Sequence, residues 1–174
     1  MATATRDIRR VKTRPDSRDI WGPGVIAGIV SAMIMLLFGM IVWAARGLGF
    51  WGLPKAISAV FLGTGGLSAG LGAVILGLAI HSVLGALFGI LFAALLPKGV
   101  SAGAELAAAL LFGVAVFVIM TYFVLPWANP ILYSLISQAW FFAYHLVFGL
   151  GLALVLPIRR GLHMRGHRPV QAGA

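Results

Sequence analysis

The chain has 174 residues, of which 61% are hydrophobic and only 10% are charged, and its net charge is +9. A water-soluble domain needs far more polar surface, because such domains are about 45–50% apolar and about 25% charged. The composition therefore excludes an ordinary soluble protein and indicates one embedded in a lipid bilayer. Cysteine is absent, which excludes disulfides, thiolate metal sites and thiol nucleophiles.

Long apolar segments follow a basic N-terminal arm, residues 1–21, which has no apolar periodicity and which we expect to be disordered. Each segment exceeds the ~20 residues that a helix needs to cross a ~30 Å hydrocarbon core. None shows the alternation of period two that is typical of a membrane β-barrel. The sequence therefore predicts an all-α polytopic membrane domain over residues 22–158. Its four transmembrane helices form a bundle and span about 24–45, 68–96, 100–125 and 137–157.

The connection between the first two spans, GFWGLPKAISAVFLGTGG, is too short to cross the membrane again. Pro54 suits the first turn of a short helix, and glycines at 63, 65 and 66 would end it. We predict a short interfacial helix on the outer face. A re-entrant segment over 54–66 is the alternative.

Positive charge is concentrated on one side of the predicted bundle. Eleven of the thirteen lysines and arginines lie in the arm, at Lys98, or in a basic tail over 159–174, whereas Arg46 and Lys55 lie opposite. With four spans, this asymmetry predicts that both termini are cytoplasmic. The basic ends would rest on anionic headgroups, so the partners of this charge are membrane lipids and not nucleic acid.

Tryptophans agree with this orientation, because their amphipathic rings favour the two membrane interfaces. Trp21 marks the cytoplasmic entry of the first span. The others fall near the opposite interface, at Trp43, Trp51, Trp127 and Trp140.

Landmarks recur in the same order in the two halves of the chain, which favours two tandem two-helix repeats related by an axis along the membrane normal. His81 and His145, each followed by a glycine four residues later, would then be partners. The matched landmarks are GVIAG (24–28) with GVSAG (99–103), the outer Leu-Pro pairs at 53–54 and 125–126, His81-Gly85 with His145-Gly149, and the Leu-Pro pairs at 96–97 and 156–157.

His81 lies on a stripe of small residues that includes Gly77 and Gly85, at spacings of four along the second span. We favour a packing seam, in which Gly77, Gly85 and Gly149 let a neighbouring backbone approach and the imidazole hydrogen-bonds across the seam. Its partner would be a hydroxyl such as that of Tyr144, or a backbone carbonyl.

A bis-histidine haem b site is the alternative, with His81 and His145 as the two axial ligands. The outer helix halves lack the basic groups that commonly hold haem propionates. A small uniporter or channel that uses the two histidines is a further alternative. We predict no metal site and no catalysis. The one acidic residue beyond the arm is Glu105, and its position is explained by a favourable interaction with the N-terminus of its own helix and by an ion pair with Lys98.

Three segments resemble the small YagU-type inner-membrane proteins of bacteria: GVIAGIVSA, HSVLGALFGILFA and AYHLVFGLGLAL, within residues 24–157. The resemblance implies a polytopic protein of the bacterial inner membrane, from a group without an established chemistry, and it assigns no catalytic residue. Separately, the faces lined by glycine and alanine would suit neighbouring helices if they point outward. We therefore expect a non-enzymatic membrane module without a cofactor, or an accessory subunit that binds other membrane-protein subunits.

Overall fold

The computed structural model describes residues 14–166, with side chains placed as far as Leu162. The described range contains helices and no strand, so the predicted all-α class is confirmed. The helices are α1 (Ser17–Ala45), α2 (Gly52–Leu62), α3 (Gly65–Ser68), α4 (Leu71–Leu95), α5 (Ala102–Ile119), a π-helical turn (Met120–Val124), α6 (Leu125–Ala128), α7 (Pro130–Leu135), α8 (Gln138–Leu152) and α9 (Val155–Gly166).

Four helical segments in this range are long and apolar enough to cross a membrane, as predicted: Ser17–Ala45, Leu71–Leu95, Ala102–Ala128 and Gln138–Leu162. The bundle has two ends. We call the end with Ser17, Leu95, Ala102 and Gly166 the terminal end, and the end that carries α2, α3, α6 and α7 the loop end.

Helix α1 begins seven residues earlier than predicted, because Asp16 and Asp19 form its N-terminal cap. The Asp19 carboxylate accepts a hydrogen bond from the backbone N–H of Asp16 at 3.0 Å, which satisfies a donor that the helix itself leaves unpaired. Residues 17–21, predicted to be disordered, are therefore helical. The rest of that prediction, for residues 1–13, lies outside the described residues.

Helix α4 starts three residues later than predicted, because Ala69 is extended and separates it from the single turn of α3. The second span is therefore 25 residues long, instead of the 29 expected.

Proline at position 157 breaks the fourth span, because it has no N–H and its ring clashes with the carbonyl of Ala153. Helix α8 ends at Leu152 and α9 begins at Val155. Helix α9 continues to Gly166, so the predicted basic tail from 159 onward is helical as far as the structure describes it.

The four spans are arranged as a curved row in the order α4, α1, α8, α5. Helix α1 packs on both α4 and α8, and α5 packs on α8, whereas α4 and α5 make few contacts with each other in the described range. Phe92 of α4 and Phe112 of α5, whose ring centroids are 5.4 Å apart, bring the two outer helices together near the terminal end. Towards the loop end, they are separated by a cavity.

Glycines allow α1 and α4 to approach until their backbones touch. A methyl group added at Gly24 would lie 2.7 Å from Cα of Ile90, and one added at Gly89 would lie 2.6 Å from Cα of Gly28. Gly85 faces Gly28 in the same seam. The stripe of small residues on α4 is therefore a helix contact, which is the arrangement that such stripes favour in membranes.

The other two glycines assigned to packing also lie at helix contacts. Gly77 of α4 faces the backbone of Pro54 in α2, and a methyl group at Gly149 of α8 would lie 2.7 Å from the carbonyl oxygen of Ala109 in α5. The pair α1 and α4 and the pair α5 and α8 thus both pack through small residues, as a tandem repeat would require.

The GVIAG and GVSAG match, however, does not correspond to equivalent packing. Gly24 and Gly28 are buried against α4, whereas Gly99 lies in a loop with φ +78° and Gly103 has open space beside it. The small residues of α5 that pack on α8 are Ala109 and Gly113, further along the helix. This part of the repeat prediction is wrong, because a five-residue match does not determine which face of a helix meets its partner.

Asn129 links the short helices α2 and α7, which cover the loop end of the bundle and which we call its roof. Its Nδ2 donates to the carbonyls of Ala56 and Ile57 at 2.9 and 3.3 Å, and its Oδ1 accepts from the N–H of Leu132 at 3.0 Å as the N-cap of α7. Helix α2, the predicted short helix, is therefore fixed to α7. Because Pro54 contacts Gly77, α2 packs beside the first turns of α4.

Trp43 differs from the predicted interfacial belt. Its side chain is only 2% exposed and it packs against Gly52 at the start of α2. The remaining tryptophans have exposed rings at the ends predicted for them, which are Trp21 at the terminal end and Trp51, Trp127 and Trp140 at the loop end.

Arg159 is buried at the terminal end, 6% exposed, although its position predicted a headgroup contact. Its guanidinium donates to the backbone carbonyls of Asp19 at 2.9 Å and Leu96 at 3.2 Å, and also to that of Ala93. Two of these carbonyls lack a helical partner because of proline: Pro23 cannot donate to Asp19, and Pro97 cannot donate to Ala93. Arg159 therefore satisfies carbonyls that the prolines leave unpaired and joins α9 to α1 and α4.

Glu105 and Lys98 do not form the predicted ion pair. Oε1 of Glu105 accepts from the N–H of Leu156 at 2.6 Å and so caps the N-terminus of α9. Lys98 Nζ instead lies 2.8 and 2.9 Å from carboxylate oxygens of Asp16 and Asp19, and these contacts raise the pKa of Lys98 above its usual value. Each group finds its partner on an element distant in sequence, a backbone N–H for Glu105 and two carboxylates for Lys98, and residue spacing alone did not indicate this.

Candidate functional site

A cavity of about 280 Å³ lies between α4 and α5 in the loop half of the bundle. Helices α1 and α8 form its back wall, and α2, α6 and α7 form its roof. Its walls are largely apolar, and include Met35, Leu84, Phe88, Val116, Met120 and Phe148. The two histidines, Tyr144 and Asn129 are the polar residues among the described lining.

His81 is positioned on the seam between α4 and α1. Its Nε2 lies 3.0 Å from the carbonyl oxygen of Ala32, one helical turn beyond Gly28. Gly85 stands one turn after the imidazole and lets α1 come near enough for this bond. The backbone-carbonyl partner considered from the sequence is therefore present, and it is on the neighbouring helix.

His145 is the more deeply buried of the two, at 3% exposed. Its Nδ1 lies 2.8 Å from the carbonyl oxygen of Phe141, one turn earlier in α8. The rings of Phe141 and Phe117 pack edge-on against the imidazole, with centroids 4.4 and 5.9 Å away. These contacts fix the ring plane, so its second nitrogen has a defined direction.

The structure brings His81 and His145 to one cavity but does not join them by a hydrogen bond. At ~1.5 Å per residue, they stand about 15 Å and about 10 Å from the loop ends of their helices, and both rings line the cavity. Each imidazole binds a backbone carbonyl instead. The two imidazoles therefore line the same cavity, where both could contact one bound molecule.

Two further polar residues complete the cavity: Asn129, which the sequence did not assign to the site, and Tyr144, whose hydroxyl was considered as a partner of His81 but makes no hydrogen bond with it. Asn129 secures its roof, and the sequence signal for this role was its place before Pro130, where an N-cap is favoured. Tyr144 lies beside Trp43, and neither the Tyr144 hydroxyl nor the Trp43 indole N–H has a well-aligned hydrogen-bond partner in the described part of the chain. No sequence pattern indicated that contact, because the two rings come from α8 and α1.

A haem fits this geometry poorly. His145 has the arrangement of an axial ligand, with Nδ1 on a carbonyl and Nε2 available. His81 does not, because its Nε2 is bound to Ala32. No cluster of three metal-ligating side chains occurs in the described part of the chain. The haem alternative stays a prediction, and the bond from His81 to Ala32 weighs against it.

Comparison with known proteins gives no relative: no family model matches the chain, and no curated protein or solved structure matches it significantly. The resemblance to YagU-type proteins therefore stays a prediction.

Proposed function

We propose that this chain is a non-enzymatic membrane protein that binds a small apolar molecule in the cavity between α4 and α5. The observation that carries the proposal is the lining, which is apolar except for two imidazoles, one amide and one phenol among the described residues. Small-molecule sites have this composition, with few polar groups that orient the ligand, and the volume lies near the lower end of their ~300–1,000 Å³.

The ligand enters sideways from the lipid. The lining includes Phe61, whose side chain is 74% exposed, so the cavity reaches the apolar outer surface of the bundle near the loop end. The sparse contact between α4 and α5 leaves that side open. A molecule dissolved in the bilayer would reach the cavity without crossing water.

A uniporter or channel has less support from the same geometry. The ring of Phe88 makes T-shaped contacts with the rings of Phe112 and Phe148, each at a centroid distance of 6.5 Å, on the side of the cavity away from the loop end. These rings lie between α4, α5 and α8, on the path that a solute would take from the cavity towards the terminal end, and this favours a pocket over a pore.

An accessory subunit also has less support than the sequence indicated. The glycines of α4 that favoured a partner helix are already packed against α1 and α2. The outward face of α4 instead carries large apolar side chains that suit lipid, namely Leu71, Ile75, Val83, Leu87, Leu91 and Leu95. Lipids are therefore the partners that this face fits best.

We place the protein in a bacterial inner membrane with both termini in the cytoplasm, on the basis of the eleven-to-two charge asymmetry and the resemblance stated above. Because the chain has no cysteine, single cysteines can report topology. In intact cells, an impermeant maleimide should label a cysteine at Ala128, which is exposed at the loop end, and should fail to label one at Ala172. The reverse pattern would invert the assignment.

Cavity binding can be tested by photolabelling in lipid nanodiscs. A diazirine derivative of naphthalene, dissolved in the bilayer, should insert into cavity residues such as Met35 and Met120, as read by peptide mass spectrometry. Val116 is buried in the cavity wall, so Val116→Trp should fill the space and reduce labelling of both methionines severalfold.

A matched tryptophan provides the control. Leu111 is on the same helix as Val116 but is 70% exposed and does not line the cavity. Leu111→Trp should therefore leave labelling of Met35 and Met120 unchanged. If neither methionine is labelled above the lipid-facing side chains of the unmodified protein, the cavity binds no apolar molecule and the proposed function is wrong.

A further inference from the structure

The hydrogen bonds of the two histidines determine which ring nitrogen carries the proton. A backbone carbonyl can only accept a hydrogen bond. Nε2 of His81, on the carbonyl of Ala32, and Nδ1 of His145, on the carbonyl of Phe141, are therefore the protonated nitrogens. In a neutral imidazole, the other nitrogen carries a lone pair and only accepts.

These two accepting nitrogens are unused within the protein. Nδ1 of His81 and Nε2 of His145 have no hydrogen-bond partner among the residues that the structure describes. Both rings line the cavity. In an apolar environment, an unused acceptor costs free energy until a donor reaches it. A bound molecule that can donate a hydrogen bond would remove this cost.

We propose that the ligand of this cavity carries a hydroxyl group, as a phenol, a hydroquinone or a lipid alcohol does, and that it donates this hydroxyl to Nε2 of His145 or Nδ1 of His81. The proposal rests on the proposed function and adds the polar chemistry of the ligand to it. Carbonyl and ether oxygens only accept hydrogen bonds, as do the two free imidazole nitrogens. A molecule that offers only such oxygens therefore forms no hydrogen bond with these nitrogens.

The volume limits the apolar part of the ligand. An apolar cavity of about 150 Å³ holds a benzene molecule, so the 280 Å³ present here suits a two-ring system or a short alkyl chain. The edge-on packing of Phe117 and Phe141 on His145 holds the accepting nitrogen in one direction, which favours a single placement of the hydroxyl.

The test is competition against the naphthalene diazirine in nanodiscs, with competitor concentrations expressed per lipid. Two matched pairs differ only in the donor: 1-naphthol with 1-methoxynaphthalene, and 1-decanol with its methyl ether. In at least one pair, the hydroxyl compound should compete about tenfold better than its ether, which is the ratio expected from one hydrogen bond. The pair that discriminates shows whether the hydroxyl belongs to an aromatic ring or to a lipid alcohol.

Variants assign the preference to the imidazole. His145→Phe keeps an aromatic ring beside Phe117 and removes the acceptor, so the tenfold ratio should fall towards one while Met120 is still labelled. Ser82→Ala removes a hydroxyl that donates to Leu78 of its own helix and does not line the cavity, and it should leave the ratio unchanged. His81→Phe tests Nδ1 of His81 in the same way. If the preference survives in the double variant His81→Phe/His145→Phe, the histidines do not receive the hydroxyl.

The failures of the two proposals are distinguishable. Equal competition by alcohol and ether in both pairs, with labelling of Met35 and Met120 intact, overturns the hydroxyl preference and leaves apolar binding in place. Absence of labelling in the cavity overturns the proposed function itself.

Discussion

Replacement of Gly89 with leucine should separate α1 from α4 and strongly lower the thermal stability of the protein in detergent. Even a methyl group at this position would stand 2.6 Å from Cα of Gly28, so leucine cannot be accommodated without moving a whole helix. By analogy with overpacked cores, we expect a loss of about 3 kcal/mol in the free energy of unfolding. Scanning fluorimetry or circular dichroism of purified protein would measure the shift in the unfolding midpoint.

Gly72 provides the matched control for Gly89. It lies in the first turn of the same helix, is exposed, and has open space where a side chain would be added. Gly72→Leu should therefore leave the unfolding midpoint nearly unchanged. Equal midpoints for the two variants would show that the contact between α1 and α4 does not determine stability.

Replacement of Arg159 with methionine should destabilise the terminal end of the bundle by about 3 kcal/mol, since it leaves a buried polar cluster without its cation. The carbonyls of Asp19, Ala93 and Leu96 would lose their donor, and Glu105 would lose a nearby positive charge. Arg159→Lys should recover part of the loss, because an ammonium keeps the charge but cannot reach three carbonyls in a planar fork.

Arg160 is the control for this experiment, because it is adjacent, equally charged and exposed. Arg160→Met should change the unfolding midpoint little, since exposed charges contribute little to stability. The same comparison distinguishes a structural role from lipid binding. If Arg160→Met destabilises the protein as much as Arg159→Met does, then total basic charge at this end, and not the carbonyl contacts of Arg159, maintains the fold.

The four spans could be predicted from the sequence because a bilayer imposes a simple requirement on each segment by itself. About twenty apolar residues suffice to cross it, and the backbone must then satisfy its own hydrogen bonds as a helix. Helix ends were harder to predict. The start of α1 depends on a capping pair, Asp16 and Asp19, three residues apart within the basic arm. The break before α9 follows from Pro157.

Only part of the candidate site could be predicted, namely the helix face on which His81 lies. The spacing of His81, Gly77 and Gly85 indicated a seam, because residues four apart share a helix face. It did not indicate that the seam faces α1, nor that the imidazole would bind Ala32 across it. The predicted pair of Lys98 and Glu105 was wrong for the same reason, since each group meets its partner through the packing of elements distant in sequence.

What the sequence by itself determined is the all-α class, the four apolar spans, the uneven distribution of charge and the small-residue stripe on α4. Each of these depends on a single segment and its interaction with lipid or water. Only the tertiary structure decided the order α4, α1, α8, α5, the burial of Trp43 and Arg159, and the meeting of His81 and His145 at one cavity. The physical reason is that apolar helices are nearly equivalent to lipid in hydrophobicity, so helix order and facing depend on side-chain shape and on a few polar contacts between segments.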